Sequence, residues 1–166
     1  MLALTGDSLE AIPMVTSGIA LLRQMNQTMW LPLFLSVLAK AYADAGQPDE
    51  ATFYIDEAIT TLQTTGERWC EADTHRIAGE VVLLSPVPDT AKAETYFKCS
   101  LSVARQQQAK SWELRTAMSL ARLWRDQGKV QQARELLAPV YGWFTEGFDT
   151  RDLKEAKALL EELGAA

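Results

Sequence analysis

Histidine and cysteine are almost missing from this 166-residue chain, which holds only His75, Cys70 and Cys99. A structural zinc site usually takes four such ligands, and Cys70 and Cys99 form no CxxC pair, so no metal and no cofactor are expected. Two reduced thiols suit a reducing compartment, and the cytoplasm is the expected location. Basic charge is also scarce: 16 Lys and Arg against 22 Asp and Glu leave a net charge of −6. A nucleic-acid surface needs a basic excess to neutralise phosphates, and an anionic bilayer attracts the same sign, so neither is an expected partner. No apolar run approaches the roughly 18 residues of a membrane span. The opening Met1–Asp7 has no basic stretch and is too short for a secretory signal, so the Asn26-Gln27-Thr28 sequon carries no weight. Neither GxxxxGK[ST] nor GxSxG occurs, which removes the phosphate loop of an ATPase and the hydrolase nucleophile elbow.

What the chain does have is apolar content of 48% against 23% charged residues, enough for a globular core. Apolar residues recur at heptad-like spacing, with no sustained alternation of the strand type, so the expectation is all-α. Four alanines, Ala11, Ala51, Ala93 and Ala133, recur at intervals of 40, 42 and 40 residues. Four positions after each stands a bulky apolar residue: Val15, Ile55, Phe97 and Leu137. Gly6, Gly46 and Gly128 stand five positions before three of them. A period of roughly 20–50 residues marks a solenoid made of one supersecondary unit stacked on itself.

The turns divide this pattern into helices over about 7–25, 29–45, 48–64, 68–84, 90–107, 111–127 and 130–144, with a last helix from about 149 to 163. Gly46 followed by Pro48 predicts the sharpest turn, since glycine ends a helix in the left-handed region and proline suits a first helical position. Ser85-Pro86-Val87-Pro88 breaks the chain between the next two helices. Pro139 falls inside its helix and is expected to bend it, and Asp149 or Thr150 is expected to cap the last one. Ala39, Gly79 and Ala121 on the first helix of each pair match Ala51, Ala93 and Ala133 on the second. Small residues at a crossing let two helix axes approach, with Tyr42, Val82 and Trp124 filling the space beside them.

This pattern resembles the tetratricopeptide repeat. Leu38-Ala39, Tyr42, Gly46, Ala51, Ile55 and Ala58 form one nearly complete unit. Ala121, Trp124, Gly128, Ala133, Leu137 and Val140 form another. The middle unit, Gly79, Val82, Ala93, Phe97 and Ser100, carries two extra loop residues. The resemblance implies a right-handed α–α superhelix of about three and a half hairpin repeats and a C-terminal capping helix. In this reading 1–166 is one domain, with repeats over about 6–28 (partial), 29–66, 67–108 and 109–146, and the cap over 149–164. Two longer phrases, Gly66–Glu80 and Ala109–Arg115 with its continuation through Trp124–Gly128, Leu136–Phe144 and Phe148–Thr150, are similar to one more specific group. This group is the repeat tail of bacterial adenylate/guanylate-cyclase-like or winged-helix proteins that carry an AAA-type ATPase module. Gly6 and Ala11 fall on the second helix of a unit whose first helix is missing, and its uncapped Leu9, Ile12, Val15, Ile19 and Leu22 suggest a fragment of a longer protein or a homodimer through that helix.

No catalytic set emerges. His75 falls at a place where the family packs side chains between helices, and the neighbouring carboxylates Asp56/Glu57 and Glu161/Glu162 read as solvated surface. Trp69, Trp112 and Trp124 read as packing, and Trp143 as sealing the joint with the last helix. The family lines its groove from the second, fifth, ninth and twelfth places of each first helix. Those places give Leu33, Ser36, Lys40 and Ala43, then Asp73, Arg76, Glu80 and Leu83, then Arg115, Met118, Arg122 and Arg125. The candidate partner-binding groove is therefore Lys40, Arg76, Glu80, Arg115, Met118, Arg122 and Arg125. Its arginine row reads either as an ordinary solvated helix face or as a site for an anionic peptide or carboxylate-bearing protein held by charge-assisted bonds. The expected role is a non-enzymatic interaction or regulatory module acting on a protein partner or on upstream domains of its own parent chain. A structural, self-associating element is the alternative.

Overall fold

A computed structural model describes residues 8–165, all helical with no strand among them. The helices are α1 (Ser8–Gln24), α2 (Leu31–Asp44), α3 (Pro48–Thr65), α4 (Glu71–Leu84), α5 (Thr90–Gln106), α6 (Lys110–Asp126), α7 (Val130–Tyr141) and α8 (Arg151–Ala165). Gly6, the start at Asp7 and the side chain of Leu9 lie outside the described residues. Two compact units divide the chain: one ends at Tyr96 and the other begins at Phe97, the boundary falling inside α5.

In unit 1, α2 packs against α1, α3 and α4, and α3 also against α4. In unit 2, α6 packs against α7 and α8, and α7 against α8. Contact with the next helix and the next but one is the signature of stacked helical hairpins, as in tetratricopeptide-like repeats. The small residues sit where the hairpins need them. Ala39 and Ala51 in the α2–α3 hairpin, and Ala121 and Ala133 in α6–α7, have no exposed surface. Gly79 on α4 and Ala93 on α5 are buried as well. Beside the first crossing, Tyr42 and Tyr54 stack with ring centroids 5.4 Å apart and planes 4° from parallel.

The hairpin turns follow from backbone bonding. Gly46 adopts φ +72°, where its amide donates to Ala43 at 3.1 Å and the Gln47 amide reaches back to Tyr42 at 2.9 Å. Gly128 repeats this geometry at φ +76°, with the Lys129 amide bonded to Trp124 at 2.8 Å. A left-handed residue satisfies the last carbonyls of a helix, and glycine does so without a Cβ clash. Gln108 takes the same role at φ +55°, its follower Ala109 donating to Ala104 at 2.9 Å. Asp89 begins α5 by accepting the Lys92 amide at 2.9 Å, an N-cap bond that satisfies an otherwise orphaned donor. Pro139 lies inside α7. Before α8, the Thr150 hydroxyl donates to the Gly147 carbonyl at 2.7 Å.

Candidate functional site

Lys40, Arg76 and Glu80 belong to unit 1, and Arg115, Met118, Arg122 and Arg125 to unit 2, so each set is described within its own unit. On α2, Lys40 pairs with Asp44 at 2.5 Å, one helical turn on. Two of its neighbours in the expected groove are not solvent-facing. Ser36 is fully buried, its hydroxyl 2.7 Å from the Pro32 carbonyl and 3.1 Å from Thr74 Oγ1 on α4. Ala43 joins the core cluster of unit 1.

On α4, Arg76 is clamped between two carboxylates of its own helix. Its Nε donates to Asp73 at 2.8 Å and its Nη1 to Glu80 at 2.6 Å, and only 15% of the side chain is exposed. Burial opposes the charged guanidinium, but Glu80 and Asp73 outweigh that and raise its proton affinity. Spacings of three and four residues bring these groups onto one face, so the clamp is legible in the pattern D-x-x-R-x-x-x-E.

His75 lies on the same helix, its ring centroid 6.1 Å from that of Tyr96 and its Nε2 4.0 Å from Glu71 Oε1. Nδ1 is buried without a hydrogen-bond partner. Burial lowers the proton affinity of the ring below its ordinary value of 6.5, and Glu71 opposes this only in part. The unfolded chain therefore takes up a proton at His75 before the folded chain does. The stability from the neutral ring is complete above about pH 6.5 and is lost as pH falls below it. We expect a melting temperature that begins to drop between about pH 7 and 5, and a His75→Gln variant that is flat over this window. Glu113 and Glu155, held below the ordinary 4.5, contribute stability that is lost only at more acidic pH. Thermal melts of both chains across the pH range decide this, and parallel curves would reject it.

In unit 2 the arginine row faces α8. Arg115 Nε lies 2.6 Å from Asp152, Arg122 Nη2 3.3 Å from Glu155, and Arg125 Nη1 2.8 Å from Glu162. Partner numbers rise together along both helices, so α6 and α8 run in the same chain direction, and the apolar side of α8 buries Leu153, Ala156, Leu159 and Leu163. The arginines remain about two-fifths exposed: 42%, 41% and 37% in turn. Arg125 also holds Asp126 at 3.0 Å, which contributes most to raising its proton affinity. Glu155 is held low first by its bond to Arg151, against which burial acts, and then by Arg122. Met118, expected beside this row, is 3% exposed and belongs to the buried side of α6.

A second ionic cluster was not evident in the repeat pattern. Glu113, 4% exposed, receives Arg105 Nε at 2.9 Å and Lys110 Nζ at 2.7 Å. Burial raises its proton affinity, but the two cations outweigh this and hold it low. Lys110 Nζ also stands 5.6 Å from the ring of Trp143. Trp143 is 58% exposed and edge-on to Phe144, so it does not seal the joint with α8, which the buried leucines close instead. Glu57 departs from the solvated reading too: Arg23 on α1 bonds one carboxylate oxygen, and the other is buried. The Trp69 indole donates to the Met29 carbonyl at 2.9 Å and meets Trp30 edge-on at 4.9 Å. Cys70 is buried, and that burial pushes its thiol up to about 11, away from the reactive thiolate.

Among the described residues no group of three or more His, Cys, Asp or Glu is arranged to hold a metal ion. Nor is any described helix long and apolar enough to cross a membrane. The tetratricopeptide repeat family matches residues 32–52 and 114–139. The first segment covers most of α2 and its turn into α3, and the second most of α6 and α7. Both are thus similar to that repeat over the hairpins whose crossings carry the buried alanines. No curated protein matches the chain.

Proposed function

We propose that this chain is a non-enzymatic protein-interaction module. The observation that carries the reading is the agreement between the two repeat-like segments and two hairpins packed through Ala39/Ala51 and Ala121/Ala133. Tetratricopeptide repeats in general mediate protein–protein interaction, and a stacked-hairpin scaffold presents the faces of its first helices as a rigid surface. The α6 row Arg115, Arg122 and Arg125 is the part of the proposed surface that fits a carboxylate-bearing protein or peptide. Met118 supports that row from the buried side of α6, and Lys40, Arg76 and Glu80, held by their own local ion pairs, are a separate candidate surface of the other unit. A place in the cytoplasm, and in the tail of a cyclase-like or ATPase-containing bacterial regulator, belongs to the same proposal. The cytoplasm rests on the two thiols Cys70 and Cys99, and the tail on the phrases Gly66–Glu80 and Ala109–Arg115 with its continuation quoted above.

Self-association is the second reading, favoured by one observation. Met14, Leu21 and Met25 of α1 and the turn after it are 63%, 58% and 66% exposed at spacings of seven and four residues, an apolar stripe suited to another helix. Affinity capture from a host lysate, with wild-type chain beside Arg115→Gln/Arg122→Gln/Arg125→Gln, tests the first reading. A protein retained by the wild type and lost by the variant supports it. A sedimentation mass that rises with concentration and returns to monomer on Leu21→Glu favours the second. A monomer that retains nothing rejects both for the isolated chain.

A further inference from the structure

The pairing between α6 and α8 says what kind of partner the arginine row fits. α8 presents Asp152, Glu155 and Glu162 to Arg115, Arg122 and Arg125, and on its adjoining face buries Leu153, Ala156, Leu159 and Leu163. Carboxylates at i, i+3 and i+10 thus run beside apolar residues at i+1, i+4, i+7 and i+11. That is one amphipathic helix docked on the α6–α7 hairpin, with its acidic edge along the arginines of α6. The ion pairs are partly exposed, with Glu162 at 59% and Glu155 at 38%, so salt and competing carboxylates reach them. The nine residues 142–150 that lead into α8 lie outside any helix, and they include Gly142 and the left-handed Gly147.

We propose that α8 is an internal occupant of a helix-docking face, and that this face takes an acidic amphipathic helix of a protein partner when α8 yields it. The proposal rests on the interaction reading above and deepens it. It replaces a linear anionic peptide with a helix of defined pattern, and it makes α8 the competitor that sets the threshold for binding. Charge complementarity selects the partner: a helix with the apolar stripe but without the three carboxylates leaves three arginines without counterions. A helix with basic residues at those places is repelled.

The test uses the full chain and a fluorescein-labelled peptide of residues 147–165, read by anisotropy. In a chain carrying Asp152→Lys, Glu155→Lys and Glu162→Lys, the resident helix is repelled by α6. The acidic peptide should then bind about tenfold or more tighter than to wild type, with affinity falling steeply as salt is raised. A second arm does not depend on that variant folding. Adding Arg115→Glu, Arg122→Glu and Arg125→Glu to it restores opposite charges across the two helices. This charge-swapped chain should prefer a peptide bearing the same three lysine substitutions, whereas wild type prefers the acidic one. Inverted preference supports the proposal. No peptide bound by any of the three chains, or equal preference in wild type and charge-swapped chains, overturns it. So does a dimer that exchanges α8 between copies and excludes the peptide. A protein captured by wild-type chain independently of the arginines would leave the interaction reading standing while this proposal fails.

Discussion

Phe97→Ala is expected to destabilise the protein by about 3–5 kcal/mol, the largest effect of any single substitution considered for this chain. Phe97 is the largest of the fully buried side chains, with no exposed surface. It occupies, on α5, the place that Ile55 holds on α3 and Leu137 on α7, four residues after the crossing alanine. Each of these three residues is buried, at 0%, 4% and 0% exposure, so the position is a core site in every hairpin. Truncation to alanine removes the transfer free energy of the ring and leaves a cavity that stacked helices close only in part. At roughly 2–4 °C per kcal/mol for a chain of this size, the melting temperature should fall by about 10 °C. Phe53→Ala is the matched control: Phe53 is 63% exposed, and its loss should stay within about 0.5 kcal/mol. Denaturant melts of the two variants decide the matter, and equal losses would mean that the four-residue offset does not mark the core.

That offset was available in the sequence, and its burial shows which kinds of signal survive translation into three dimensions. Helix limits expected from turn residues lie within about three residues of those observed, because glycine and proline act through local sterics that tertiary packing does not override. The largest shifts, of three residues each, are at the start of α4, Glu71 where about Arg68 was expected, and at the end of α7, Tyr141 where about Phe144 was expected. The crossing alanines were legible for a related reason, since a small residue recurring in register has few explanations other than close approach.

The electrostatic partners were legible only in part. Within one helix, spacing carries the information, as in the Asp73–Arg76–Glu80 clamp. Between helices it does not: Arg115, Arg122 and Arg125 find their carboxylates 37, 33 and 37 residues away. The repeat pattern implies only a cap over 149–164, and Glu162 reads there as solvated surface. Yet an offset of 37 is close to the spacing of the repeat itself, which would have set α8 in the place of a first helix in a further hairpin, parallel to α6. Glu113 was missed because its two cations come from the end of α5 and the start of α6, a loop-spanning arrangement with no periodic signature. Met118 and Ser36 show the opposite error. Family places were read as groove-facing, whereas neighbouring helices cover both. A place in a repeat fixes direction relative to its own hairpin, and burial depends on what packs next to it.

Ala51→Leu and Ala133→Leu test the packing that underlies all of this. Each alanine is wholly buried, and each lies in a hairpin whose other helix contributes a second wholly buried alanine, Ala39 or Ala121. A leucine adds three carbons where two backbones are brought close by the absence of side chain. Protein interiors are packed to crystal-like density, so the added volume must push the helices apart or force strained rotamers. Overpacking of this kind costs roughly 1–3 kcal/mol per site. The two hairpins lie in different units, so the losses should be nearly additive in the double variant. Leucine is a good helix former, so helix propensity cannot account for a loss. Ala138→Leu, on the exposed side of α7, controls for the same change of residue without the crossing and should move stability by less than about 0.5 kcal/mol. Destabilisation at Ala51 and Ala133 but not at Ala138 would place the hairpin crossings at the 40-residue alanines. An unchanged melting temperature at both crossings would mean that the helices meet elsewhere, and the repeat register, with the α6 surface derived from it, would have to be redrawn.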